Sequence, residues 1–359
     1  MSGTSLDGID AVLTEITADG KAHLVASHYL PYTDYLRKRL LSLHIPQADE
    51  IHLAELAANE LARLYTDSVN TLLSKAGRDK INVRAIGCHG QTLRHRPDSG
   101  YTLQIGNAAL LTELTGITVV ADFRSRDIAA GGQGAPLVPA FHAHTLRHAA
   151  IHRVIANIGG IANITDLPYT GAVRGWDTGP GNMLMDAWIQ RHHSVHYDKD
   201  GNWAASGKVR TDLLNALLSH DFLRLAPPKS AGREQFNLDW LQTALGALYT
   251  PIDPADVQAT LLEFTARSLC GDVTRECPGA QEMYVCGGGI HNIALVNRIA
   301  ALLAPARVVS TASVGIDPDW MEAMAFAWLA RQTLHGQAGN LPEVTGARGP
   351  RILGAIHPA

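Results

Sequence analysis

Cysteine is scarce in this 359-residue chain, and so is any imbalance of charge. The four cysteines, Cys88, Cys270, Cys277 and Cys286, show neither the paired spacing of a zinc site nor the density of a disulfide scaffold. A disulfide-stapled secreted domain is thereby excluded, and a reducing compartment fits. Charged residues are 18% of the chain and sum to a formal -4, which leaves no field to gather nucleic acid or anionic lipid. No stretch approaches the roughly 20 apolar residues that cross a bilayer, and no basic region leads an apolar run at the start. The sequence also lacks G-x-x-x-x-G-K-[ST], so a Walker-type phosphate loop is ruled out. The expected partner is a small molecule in the cytoplasm, with no nucleic acid and no membrane.

What is present is enough chain for more than one core. A length of 359 residues exceeds the usual ceiling for one hydrophobic core, so two domains with a cleft between them are the natural division. Periodicity predicts strands over 9–16, 83–88, 101–105 and 117–121 and helices over 35–43, 48–73 and 107–114, the alternation of a layered α/β unit. The run Ala129 to Pro136 (AAGGQGAP) reads as a mobile loop or a domain crossing. A second series opens with a strand over 154–158 and runs through helices over 183–193, 208–217, 238–248 and 255–276. It closes with a strand over 282–285 and helices over 290–303 and 317–332, the last begun by Asp-Pro, before a loop-like tail after Gly336. A weak repeat relates the halves. MSGTSLDGIDAVLTEI and VIANIGGIANITDL both set a turn of small residues beside a strand, as duplicated domains would.

Those turns are the first candidates for chemistry. A nucleotide phosphate needs several backbone N–H groups aimed at one place, and turns of Gly, Ser and Thr permit that approach. The front turn offers Gly3, Thr4, Ser5, Leu6, Asp7, Gly8, Ile9 and Asp10; the middle turn offers Asn157, Gly159 and Gly160. Facing each other they would clamp phosphates from two sides, with Asp7 or Asp10 holding the water shell of Mg2+. Either turn alone is ordinary, and Asp7 serves equally well as a turn cap. Gly287, Gly288 and Gly289 follow a strand and precede a helix, where an adenine base could lie flat on the backbone. Their spacing is not that of a dinucleotide fingerprint.

Asp177 stands between Trp176 and a glycine-rich turn. Partial burial would raise its pKa and suit it to act as general base, while an Asx turn or N-cap is the ordinary alternative. His89 and Gln91 follow one predicted strand and Asp122 and Arg124 another. Ligands of open α/β sheets gather at such strand ends, so these four are candidates to bind sugar hydroxyls, with domain packing as the alternative. The pairs His142 with His144 and His192 with His193 lack a matched third metal ligand.

Seven segments in order resemble one family. They are SGTSLDGID (2–10), GCHGQT (87–92), DFRSRDIAAGGQGAPLVP (122–139), NIGGIANIT (157–165), WDTGPGN (176–182), CGGG (286–289) and DPDWMEAMAFAWLA (317–330). Together they are similar to the anhydro-N-acetylmuramic acid kinases, of the superfamily of acetate and sugar kinases, heat-shock ATPases and actin. The resemblance implies an α/β fold: two duplicated ribonuclease-H-like (actin-like ATPase) domains around a nucleotide-binding cleft. Residues 1–125, rejoined by 350–359, would form the N-terminal domain, and 126–349 the C-terminal domain with helical additions. ATP and Mg2+ would bind between them.

The resemblance further implies transfer of phosphate to 1,6-anhydro-N-acetylmuramic acid with hydrolytic opening of the anhydro ring, giving N-acetylmuramic acid 6-phosphate and ADP in cell-wall recycling. Asp177 would be the catalytic base, and His89, Gln91, Asp122, Arg124, Asp177 and Glu322 would contact the sugar. For Glu322 a helix-dipole role in the first turn is an equal alternative. Gly131 to Gly134 would move on closure, and the enzyme would be a homodimer. Family members carry a first strand ahead of the Ser-Gly-Thr turn, whereas Met1 abuts it here, so a truncated or misassigned start is expected. Competing readings are a kinase of a plain amino sugar such as N-acetylglucosamine, and a sugar sensor without turnover, although no helix-turn-helix or basic segment is present to transmit a signal.

Overall fold

The computed structural model describes every residue except Thr4, Ser5, Arg233, Glu234, Tyr249 and Thr250. In chain order the first elements are β1 (Gly8–Ile16), β2 (Ala22–Pro31), α1 (Asp34–Ser42), α2 (Glu50–Ala76), β3 (Ile86–Gly87), β4 (Gln91–Arg96) and β5 (Tyr101–Ile105). Then come α3 (Ala108–Thr115), β6 (Val119–Ala121), α4 (Ser125–Ala129), α5 (Val138–Leu146), β7 (Arg153–Ile158), β8 (Ile161–Leu167) and β9 (Arg174–Pro180). Helices α6 (Met183–His193), α7 (Asn202–Ser206), α8 (Thr211–Leu218), α9 (Leu238–Gly246) and α10 (Pro254–Glu276) precede β10 (Glu282–Cys286). The chain ends with α11 (Ile293–Leu303), β11 (Arg307–Ser310), α12 (Met321–Leu334), α13 (Pro342–Thr345) and β12 (Ala355–His357).

Two compact units result: Met1–Thr145 with Trp320–Ala359, and Leu146–Asp319. The divisions therefore fall at 145/146 and 319/320, not at 125/126 and 349/350. The reason is packing of α5 and α12 in the first unit, where the Phe141 and Trp328 rings lie 6.0 Å apart. The run 129–136, expected to be a mobile loop or a crossing, is tied into that unit as well. Gln133 N donates to Thr345 O at 2.7 Å, and Gly132 N to Asp127 O at 2.9 Å.

The second unit has one five-stranded sheet in the order β11-β10-β7-β8-β9. Strands β7, β8 and β9 form an antiparallel meander, and β10 and β11 run parallel to β7. Parallel neighbours require crossover connections, here supplied by helices. This is the ribonuclease-H-like arrangement, a meander with two parallel strands added beside its first strand. Val154, Ala156 and Ile158 of β7 alternate into a core shared with Ile164, Trp176, Leu184, Leu261, Phe264 and Leu269. Helix α10 is the centre of this core. It starts at Asp253, whose carboxylate accepts from Ala255 N at 2.8 Å, with Pro254 supplying a preset φ at the first position.

The first unit repeats the theme with an antiparallel hairpin, β1–β2, and a parallel pair, β3–β6, flanked by β12 antiparallel to β6. Leu36, Leu40, Leu61, Leu111 and Val119 pack its core. Three sequence expectations shift at their edges. The helix expected from 317 begins at Met321, because the Asp317 carboxylate caps a turn at Asp319 N, 3.0 Å away. The helix expected from 290 begins at Ile293, capped by Asn292, after a 3₁₀ turn at Gly288–His291. The tail contributes a strand, β12, rather than loop alone.

Asp127 fastens the tail to the glycine-rich run. Fully buried, it accepts from Gly134 N at 2.8 Å, Asn340 Nδ2 at 2.7 Å and Thr345 Oγ1 at 2.8 Å. Asp127→Ala strands three buried donors and is expected to destabilise the protein by about 3 kcal/mol or more; urea unfolding with an unchanged midpoint would refute the assignment.

Candidate active site

The second unit assembles a polar row across its sheet. In register, Asn157 of β7 pairs with Asn163 of β8, and Asn163 with Asp177 of β9. All three are half-buried, whereas Ala156, Ile158, Ala162, Ile164, Trp176 and Thr178 beside them are buried. Alternation along each strand thus sends the polar set to the face opposite the core. Three glycine-containing turns meet at the end of β7. Gly159 O accepts from Asn182 N and Gly160 O from Gly181 N, both at 2.8 Å. A Cβ on Gly181 would lie 2.3 Å from Gly159 O. Gly287, at φ +78, would place a Cβ 2.3 Å from Asn157 Oδ1. Only glycine permits that combination of left-handed backbone and close approach.

Asp177 has been drawn from a predicted turn into a strand, where its backbone is fixed by the ladder. Its Oδ2 accepts from Ser230 Oγ at 3.1 Å and from Ala231 N at 2.9 Å, and its own N–H donates to Lys229 O at 3.1 Å. Oδ1 has no donor among the described residues. Burial raises the carboxyl above the usual carboxylate range, and the two donors and the Lys229 charge oppose that rise. The chemical consequence is a carboxylate with one oxygen held and the other able to take a proton.

The first unit makes a second cluster. His89 and Arg124 lie just beyond the adjacent parallel strands β3 and β6. Arg124 Nε and Nη2 donate to His89 Nε2 at 3.2 and 2.9 Å, and Arg124 Nη1 donates to Gly134 O at 2.8 Å. His89 Nδ1 faces Gly90 O at 2.8 Å and Ser2 O at 3.2 Å. With carbonyls on one nitrogen and a guanidinium on the other, the imidazole is neutral with its proton on Nδ1. Burial, then the Arg124 charge, holds His89 well below its ordinary pKa. Burial also lowers Arg124 to about 10, opposed by Glu322 and Asp127, so Arg124 remains a cation and Glu322 of α12 belongs to the same cluster.

The remaining sequence candidates divide. Gln91 is buried and spends its amide inside the protein, donating to Gly3 O at 3.1 Å and accepting from the Tyr32 hydroxyl at 3.5 Å. Asp122 is exposed at φ 55, and its Oδ1 accepts from Ser125 N at 3.3 Å. Leu6 and Ile9 send their side chains into the core, so only their backbone is offered. Asp7 is exposed and Asp10 half-buried, and Asp10 exchanges both backbone hydrogen bonds with Met1, at 2.7 and 2.8 Å. Gly8 packs where a Cβ would lie 2.5 Å from Leu30 O. Thr4 and Ser5 lie outside the described residues.

The profile of the family described as anhydro-N-acetylmuramic acid kinase matches residues 1–359. The chain belongs to that family. The anhydro-N-acetylmuramic acid kinase of Thiobacillus denitrificans is 69% identical, covering 100% of this chain and 96% of its own. Those of Nitrosospira multiformis and Nitrosomonas europaea are 54% and 53% identical, each over 100% of this chain and 98% of their own. Among solved structures, the activator of the 2-hydroxyisocaproyl-CoA dehydratase from Clostridium difficile with bound ADPNP aligns with TM-score 0.46 at 11% identity, covering 91% of this chain and 96% of that one.

The sequence did not single out Asn163 within its turn, nor the 229–231 segment. Asn163 was legible, since strand alternation through NIGGIANIT puts it on one face with Asn157. Ser230 and Ala231 were not, because they reach Asp177 from 53 and 54 residues away.

His89 carries a pH signature. Its native ring stays neutral while the unfolded ring takes up a proton below about pH 6.5, so the unfolded state binds more protons and stability drops as pH falls. Between about pH 6.5 and about pH 5.5 the loss is expected to be about 1 kcal/mol from this residue. Proton NMR should show the His89 ring resonances flat across that range; a midpoint near 6 would overturn the buried neutral state.

Proposed function

We propose that this chain phosphorylates 1,6-anhydro-N-acetylmuramic acid with ATP while water opens the anhydro ring, yielding N-acetylmuramic acid 6-phosphate and ADP for cell-wall recycling. Membership of the family over residues 1–359 supports the reaction, and the observation that carries the roles is Asp177, half-buried with one oxygen held and the other without a donor among the described residues.

The chemistry demands two coupled bond changes. Water oxygen attacks carbon 1, the bond from carbon 1 to the bridge oxygen breaks, and that oxygen, still on carbon 6, takes the γ-phosphoryl group as ADP departs. The proton released by the attacking water goes to Asp177 Oδ1, so the charges balance. Attack opposite the leaving oxygen is the geometry of an inverting glycosidase, with phosphoryl transfer replacing protonation of the leaving group. The raised pKa of Asp177 makes it a stronger base than a surface aspartate.

The other candidates take supporting roles. The turns with Asn157, Gly159, Gly160, Gly287, Gly288 and Gly289 would offer backbone groups to a nucleotide, and the close approach of Gly287 to Asn157 Oδ1 and Ile158 O supports their gathering at one place. Mg2+ would supply charge neutralisation on the phosphates. The oxygen chemistry of Asp7 and Asp10 suits its water shell, and among the described residues no group of three acidic, His or Cys side chains competes as a direct cage. Arg124, oriented by His89 and balanced by Glu322, suits the carboxylate of the muramic acid. A cytoplasmic homodimer completes the proposal; four buried cysteine thiols agree with a reducing compartment.

The test is to incubate the protein with ATP, Mg2+ and the anhydro sugar and to follow phosphorylated muramic acid by mass spectrometry; its absence ends the substrate assignment. Asp177→Asn is expected to lower kcat by about a thousandfold while both ligands still bind. A near-normal rate would remove Asp177 as the base.

A further inference from the structure

Asp177 does not set its own aim. Strand pairing fixes its backbone, but the carboxylate is turned by two donors from a separate segment, Ser230 Oγ and Ala231 N. That segment is poorly anchored by itself: Leu225, Ala226, Pro228 and Ser230 are exposed. Lys229 is the exception. Its Nζ lies 2.8 Å from Asp272 Oδ2 and 3.2 Å from Oδ1, with both side chains 2% exposed. It also sits 4.8 Å over the Phe222 ring. The same Asp272 carboxylate accepts from Trp176 Nε1 at 3.0 Å and pairs with Arg275. Trp176 is the residue before Asp177 on β9.

One buried carboxylate on α10 therefore grips both partners of the base: the strand that carries it, through Trp176, and the loop that aims it, through Lys229. We propose that Asp272 and Lys229 are positioning residues for the reaction, holding the 229–231 segment so that its two donors fix Asp177 Oδ2 and leave Oδ1 to the water. This rests on the reading of Asp177 as general base. A buried ion pair gives no assurance of stability over apolar residues of similar size, so a role in placement is the better account of keeping one here.

The two roles separate by experiment. Among the described residues, the charged groups packed around Asp177 and its supports are Lys229 from the loop, Asp272, Arg275 and Glu276 from α10, and Arg174, whose guanidinium stacks 5.1 Å over Trp176 and pairs with Asp166 and Glu276. Lys229→Met/Asp272→Leu removes both members of the buried pair; Arg275, half exposed, keeps its contact with Glu276, and Trp176 Nε1 loses its acceptor. With the full chain, ATP, Mg2+ and the anhydro sugar, kcat should fall about tenfold to a hundredfold, the loss expected from small misplacement of a reacting group. KM for ATP should stay within about threefold. The acid limb of kcat/KM should move to higher pH, because donors and a positive charge that favour ionised Asp177 are lost or loosened. A purely structural pair would lower the melting temperature and leave the acid limb in place.

Ser230→Ala, at an exposed position, removes one donor to Oδ2 and should move the limb the same way by a smaller amount; it decides the matter if the double variant does not fold. Unmoved limbs and unchanged kcat in the folded variants overturn the positioning role. Asp177→Asn, measured alongside, reports on the base itself: an active Asp177→Asn defeats that reading, whereas an inactive one beside normal Lys229 and Asp272 variants defeats only the positioning.

Discussion

For the role proposed for Asp177, a carboxylate has to be partly withdrawn from solvent, or its basicity is that of any surface aspartate. It cannot be withdrawn so far that it stays protonated. Asp177 lies between these limits because burial raises its pKa while Ser230, Ala231 and Lys229 act in the other direction. Much of the second unit can be read as the means of keeping that balance. The β9 ladder fixes the backbone, the 229–231 segment fixes one oxygen, and Asn163 and Asn157 extend the polar row across β8 and β7.

The same economy of space governs the turns at the end of β7. Gly181 and Gly287 are places where two backbones, or a backbone and the Asn157 amide, approach more closely than a Cβ allows. Close approach leaves peptide groups near the surface where a phosphate or a base could meet them, and it couples the three turns, since none can shift without meeting another. In the first unit the cluster is built from charge instead. A neutral His89 accepts from a cationic Arg124, and Glu322 and Asp127 offset the cost of burying the guanidinium.

Local pattern carried the elements that depend on neighbours in sequence. The helix over 183–193 and the strand over 101–105 agree with α6 and β5 residue for residue, since periodicity and caps are local signals. Asp177 was legible as a candidate, a carboxylate between Trp176 and a glycine-rich turn, with an Asx turn as its ordinary alternative. What local pattern does not carry is direction and partner. Gln91, a sugar-contact candidate, faces inward onto Gly3 O, and nothing in GCHGQT says which face of β4 lies beneath the front turn. The run 129–136 looked mobile because glycine signals freedom as readily as crowding. Here it signals crowding, with a Cβ on Gly132 falling 2.2 Å from Asp127 Oδ2.

The partners invisible in sequence converge on one helix. Asp272 of α10 reaches Trp176, 96 residues away, and through Lys229 the loop over Asp177. One face further along α10, Glu263 accepts from Arg298 Nε at 2.6 Å and Nη2 at 2.8 Å, which ties α10 to α11. Helix α11 is the element that follows the glycine turn at 287–289, capped there by Asn292. Both buried acids of α10 thus restrain a segment of the proposed site, one beside Asp177 and one beside the glycine turn. An apolar α10 could fill the same volume, but dispersion contacts are tolerant of small sliding and rotation, whereas a two-point charged hydrogen bond is not. The placement of charge within this core follows from the need to hold loops in register with a sheet.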